Sequence, residues 1–242
     1  MTKYIKLLLL IIILQFFGAN GCTNSNVDQD EIKKANQFFE SVFQDRVLDS
    51  PEFQSRLGYK SNYDQWDDIT YQRTRKNARL ATFDLEYLNE NINIEKLDDK
   101  TAISYRLMEK SLQRRIESDD FLFRQYLVTH RGGKHSSIPS FLINYHAIED
   151  ERDVQDYLSR LRNIEPLIED LIEELSLREE VGTIAPKFVF PKAIAVSKNI
   201  ISGFPFEEGK KQNVIYEDFV KKIDAIDLAD AVKLRYKSEA EA

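Results

Sequence analysis

Apolar positions recur along this chain at helical spacing, in blocks separated by proline, glycine and capping residues. From about Asp30 to Leu48, the side chains of Ile32, Ala35, Phe39, Val42 and Phe43 fall on one stripe. Ser50-Pro51-Glu52 then offers a cap followed by a proline suited to a first helical turn, and Leu57-Gly58 closes a short helix. Ile69 to Asn91 contains neither Pro nor Gly and carries Leu80, Phe83, Tyr87 and Leu88 at helical intervals. A similar block starts at Asp98 or Asp99 and runs through Ile103, Leu107, Met108, Leu112 and Ile116. These two blocks predict long antiparallel helices. Between about residues 118 and 147 the period is lost in an aromatic stretch that runs into Arg131-Gly132-Gly133-Lys134 and Ile138-Pro139, which predicts a loop-rich crossover. Helical spacing returns through Val154, Tyr157, Leu158 and Leu161, and again after Asn163 through Leu167, Leu171 and Leu175 to a stop at Gly182. Pro191 leads into a helix around Lys192 to Ile201, and Val214 to Ile223 and Leu228 onward follow. The predicted fold is all-α, an irregular bundle of antiparallel helices over residues 31–242. Its last segment is strong helix former to the end, so truncation within that helix is also expected.

The first residues follow another rule. Lys3 and Lys6 precede an unbroken apolar run from Leu7 to Leu14, too short to span ~30 Å of hydrocarbon but suited to the core of an export signal. Ala19-Asn20-Gly21-Cys22 resembles the box at which bacterial lipoproteins are cut and their cysteine acylated, with Ala19 where Leu is usual. This predicts a signal peptide over residues 1–21, lipidation at Cys22 and a polar tether over residues 22–30. Cys22 is the chain's one cysteine, so no intramolecular disulfide competes for it. The predicted partner is a lipid bilayer through acylated Cys22. Thr23 after the cysteine points to the periplasmic face of the outer membrane, by analogy with sorting in two-membrane bacteria.

Composition narrows the rest. Losing residues 1–21 removes Lys3 and Lys6 and no acid, taking the formal charge from -7 to -9, and charges of both signs are interspersed. That balance argues against nucleic acid and against a basic membrane-binding face. Fifteen Phe and eleven Tyr supply bulk for one sizeable core.

Candidate chemistry is sparse. Zinc hydrolysis needs converging imidazoles and carboxylates plus a base, most simply His-Glu-x-x-His on one helical turn, and that pattern is missing. His146 and Glu149, three apart, are the weak metal candidates; the plainer reading is a polar histidine beside a solvated acid. There is no Gly-x-Ser-x-Gly elbow. Arg131-Gly132-Gly133-Lys134 could form an anion-binding turn, but a flexible connection is the plainer reading, because the strand and helix that frame a phosphate loop are not evident. Acidic pairs such as Asp67-Asp68 and Asp98-Asp99 sit where helices begin, in favourable interaction with the helix dipole.

Ser50-Pro51-Glu52 with Leu57-Gly58, the aromatic stretch into Gly132-Gly133, Tyr157-Leu158-Ser159-Arg160-Leu161-Arg162-Asn163-Ile164, and Glu180-Val181-Gly182-Thr183-Ile184-Ala185-Pro186 together resemble the N-terminal half of a bacterial family catalogued as domain of unknown function 885. The resemblance implies a largely helical, exported lipoprotein more than twice this length. It further implies a likeness to zinc metallopeptidases through a His-Glu-x-x-Pro-Gly-His motif in the C-terminal half. That motif is missing from this sequence. Zinc and any peptide substrate are therefore expected only with that other half, no catalytic residue is assigned here, and this chain alone is expected to be inactive. A complete small lipoprotein that binds or scaffolds a partner at the membrane surface is the alternative.

Overall fold

The computed structural model describes residues 26–209 and 211–241; the signal-like segment and Cys22 lie outside them. Helix α1 (Gln29–Leu48) begins where the Asp28 carboxylate accepts from the backbone N–H of Asp30 at 3.0 Å. In α2 (Pro51–Arg56), Ser50 caps the first turn and Pro51 occupies a position whose N–H would be unpaired anyway. Asp67 reinforces that end by accepting from Ser50 Oγ at 2.7 Å and from the backbone N–H of Glu52 at 2.9 Å. Helices α3 (Tyr71–Asn91) and α4 (Asp99–Asp120), capped by Thr70 and Asp98, are joined by a short 3-10 turn and form the most extensive pairing in the molecule.

With α1 this pair encloses one core, built on Ala35, Val42, Ala81, Leu88, Tyr105 and Leu112. The inward face of α3 differs from the expected stripe. Ala78, Ala81 and Leu88 are buried, whereas Leu80, Phe83 and Tyr87 stay exposed, as do Ile103 and Leu107 on α4. Small alanines let neighbouring helices approach closely, so the bulkier side chains are left on the outer faces.

The second core joins α5 (Lys134–Tyr145), α6 (Glu151–Arg162), α7 (Ile164–Glu180), α9 (Val214–Ala225) and α10 (Asp230–Glu241). Leu142, Val154, Tyr157, Phe219 and Ile223 are fully or almost fully buried there. Leu142, Val154, Phe219 and Ile223 each contribute roughly 1.5–3 kcal/mol by leaving water. Tyr236 fastens α10 by donating to Glu151 at 2.7 Å and accepting from Gln155 at 3.2 Å.

The crossover is more ordered than its sequence predicts. A 3-10 turn over Leu122–Arg124 leads to a minimal antiparallel hairpin, β1 (Val128–Thr129) and β2 (Gly132–Gly133), and then α5 occupies residues 134–145 with Pro139 inside it. Burial of Ile138, Phe141 and Leu142 drives that helix despite the proline. Ser136 and Ser137 hydroxyls donate to the carbonyls of Gly133 and Lys134 at its start. Likewise α8 (Val189–Ile200) starts before Pro191, which falls in its first turn, where no intrahelical N–H is required.

Candidate functional site

The weak metal candidates do not converge. His146 is completely buried: Arg160 Nη1 donates to its Nδ1 at 2.9 Å, and its Nε2 lies 3.2 Å from the Asp153 carbonyl. A guanidinium can only donate, so Nδ1 accepts and the imidazole proton sits on Nε2. Burial and the neighbouring Arg160 charge push His146 down to about 3, so it is neutral and both nitrogens are used. Glu149, 72% exposed, faces the other way onto Lys60 Nζ at 2.7 Å. Among the described residues, no three His, Cys, Asp or Glu side chains are grouped to hold a metal ion. The donors present here do not fit a zinc centre.

What does assemble around His146 is a buried polar knot. Arg160 spends its fork on three neutral acceptors: the Gln65 carbonyl (2.9 Å), Ser55 Oγ (2.8 Å) and His146 Nδ1. Its charge also sits 4.9 Å from the Phe141 ring centre and 5.2 Å from that of Tyr63. Burial lowers the Arg160 pKa to about 10. Beside it, Asp153 accepts from Lys60 Nζ at 2.7 Å and from the Glu149 N–H at 2.8 Å. Burial opposes the Lys60 charge, but the hydrogen bonds to Asp153 and Glu149 outweigh it and raise that pKa. The knot ties α2 and the following loop to α6. Sequence reasoning missed it, although Asp153 and Arg160 share the apolar stripe of α6 with Tyr157 at helical spacing.

A second polar anchor shapes a strongly apolar concavity. Arg178 on α7 pairs with Glu174 at 2.7 Å and donates to the Leu122 and Gln125 carbonyls at 3.2 Å each, pinning residues 122–128 onto α7. Glu174 also accepts from the Tyr71 N–H at 2.7 Å, at the positive end of the α3 dipole. Held in this way, residues 126–128, α7 and α8 line a groove of about 500 Å³. Val189 and Ala193 are buried at its base, while Ile172, Leu175, Ile184, Phe190, Ile194 and Ile201 stay between 36% and 58% exposed. Ser176, Glu179 and Lys198 supply polar groups among its walls. The groove can bury apolar side chains.

Arg131-Gly132-Gly133-Lys134 does not form an anion-binding loop. The glycines are β2, and Lys134 is paired with Glu52. A Cβ at Gly133, whose φ is +147°, would collide with the Leu127 carbonyl, so glycine is required there.

An all-α bundle with a buried polar knot and an uncovered apolar groove defines the class. The family model described as "Bacterial protein of unknown function (DUF885)" matches residues 51–242, and the chain belongs to that family. No curated protein matches it. Among solved structures, the chain is similar to "the putative lipoprotein from Colwellia psychrerythraea", with a TM-score of 0.67 and 18% identity, over 87% of this chain and 37% of that one. That likeness shows the fold alone, and this chain spans little more than a third of the length of that relative.

Proposed function

We propose that this chain is the N-terminal helical framework of a larger exported protein, anchored by acylated Cys22 at the periplasmic face of the outer membrane. In this reading, the polypeptide corresponding to the rest of the relative packs on the groove between α7 and α8. That groove is the observation that carries the proposal: a row of half-exposed aliphatic and aromatic side chains is unusual on a chain with 31% charged residues. Support comes from the 63% of the solved lipoprotein left unmatched, 100% less the 37% covered. The anchor rests on the Gly21-Cys22 box and on the description of that relative as a lipoprotein. The metallopeptidase likeness and its zinc belong, in this proposal, to the absent part, so the framework alone hydrolyses no peptide.

Reading the gene past codon 242 in all frames tests the proposal. A coding segment for His-Glu-x-x-Pro-Gly-His, whose product protects Phe190 and Ile194 from oxidative footprinting when co-expressed, supports it. A clean intergenic region beyond codon 242 would refute it and favour the self-contained scaffold.

A further inference from the structure

We propose that a pocket between the end of α1 and the C-terminal half of α4 binds a phosphate group. About 400 Å³ in volume, it is lined by Arg46, Lys110, Arg114, Arg115, Ser111 and Ser118, with Leu107 at one side and no carboxylate in its wall. Several cations elsewhere are ion-paired, as Arg73 is with Asp49 and Arg75 with Asp119. Here none of the four cations has an ion-pair partner within 4.0 Å among the described residues.

Repulsion within the cluster is built in. Lys110 and Arg114 are one helical turn apart, a like-charge spacing that destabilises a helix. Arg115 is half-buried; burial and the Arg46 charge both lower its pKa and Asp84 opposes them, while Arg46 and Arg115 also line the adjoining cleft that holds Asp45, Asp49, Asp67, Asp68 and Asp84. Arg46 is explained by the helix end it occupies, but Lys110, Arg114 and Arg115 lie before the last turn of α4, where the dipole does not call for cations. A phosphate relieves the repulsion, and guanidinium forks match its oxygens in pairs. The Ser111 hydroxyl makes no other hydrogen bond among the described residues and can donate to a third oxygen.

Two sources share this chemistry: a soluble phosphate and a phospholipid headgroup. The pocket lies at the far end of α1 from the tether, about 25 Å along the helix from Gln29, which favours the soluble source.

Calorimetric titration of the full chain in uncharged detergent, at constant ionic strength, with inorganic phosphate and with water-soluble dihexanoyl phosphatidylglycerol is the test. One saturable site is expected, weakened at least about fivefold by the double change Lys110→Gln and Arg114→Gln, both at exposed positions. The charge-matched control, Lys33→Gln with Arg106→Gln, should stay within about twofold. Tighter binding of the lipid by about tenfold or more assigns a headgroup; otherwise the ligand is a soluble phosphate. No saturation by either probe up to about 50 mM, or equal weakening in the control, overturns the proposal.

Discussion

Replacing Arg160 by methionine removes the fork at the centre of the polar knot while keeping an unbranched chain against Tyr63 and Phe141. Three acceptors lose their donor: the buried Ser55 Oγ and His146 Nδ1, and the part-buried Gln65 carbonyl. Each lost bond is a hydrogen bond to a charged group, worth about 1.5–3 kcal/mol, or about 6 kcal/mol for the three at about 2 kcal/mol each. Against this stands relief from burying a charge. Burial lowers the Arg160 pKa from 12.5 to about 10, equivalent to about 3 kcal/mol at 1.36 kcal/mol per unit. The balance is a loss of about 3 kcal/mol. For a domain of this size, each kcal/mol moves the midpoint by about 2–4 °C, so Tm should fall by roughly 6–12 °C. Thermal unfolding followed by circular dichroism at pH 7.5 measures it. Unchanged or raised stability would show that the three acceptors find other partners and that the knot is not what joins α2 to α6.

Other outcomes follow from single groups. The His146 pKa is about 3 when folded against 6.5 unfolded, so the unfolded chain binds the proton more tightly. Its contribution is complete above pH 6.5 and is lost as pH falls toward 3, amounting to about 2 kcal/mol by pH 5; denaturant melts from pH 7 to 5 should show a slope that His146→Gln flattens. Tyr157→Phe removes a buried hydroxyl with no hydrogen-bond partner among the described residues, so urea unfolding should show a change between zero and about 1 kcal/mol of added stability. Phe190→Ser with Ile194→Ser should leave Tm within about 2 °C, since both side chains are half-exposed, while reducing binding of a hydrophobic dye; an unchanged dye signal would place that binding elsewhere. Cys22→Ser should move the product from the detergent phase to the aqueous phase on detergent partitioning, and retention in the detergent phase would count against acylation.

Caps and breakers explain why the helical order was readable in advance. Ser50-Pro51, Asp98 and Gly182 act within a turn of themselves, and the structure uses each as its local chemistry requires. Pro139 misled for the same reason. A local rule disfavours helix around it, but burial of Ile138, Phe141 and Leu142 outweighs the missing N–H, and that burial depends on partners distant in the chain. Phase was also partly hidden: α3 carries apolar residues on more than one side, and only contact with α1 and α4 selects the alanine face.

The candidate site divides along similar lines. His146 and Glu149 are three residues apart, which allows a shared helical face; α5 instead ends at Tyr145, and the irregular backbone after it sends one into the core and the other to solvent. Ser55, Gln65 and Arg160 meet across about a hundred residues of chain, a convergence no spacing rule can express. Thus the amino-acid order alone determined the helical class and the ends of most helices, because these depend on neighbours within a turn or two. Tertiary packing decided which apolar faces are covered, where Arg160 finds its acceptors and that the groove beside α8 stays open, because burial is settled by groups that only the folded chain brings together.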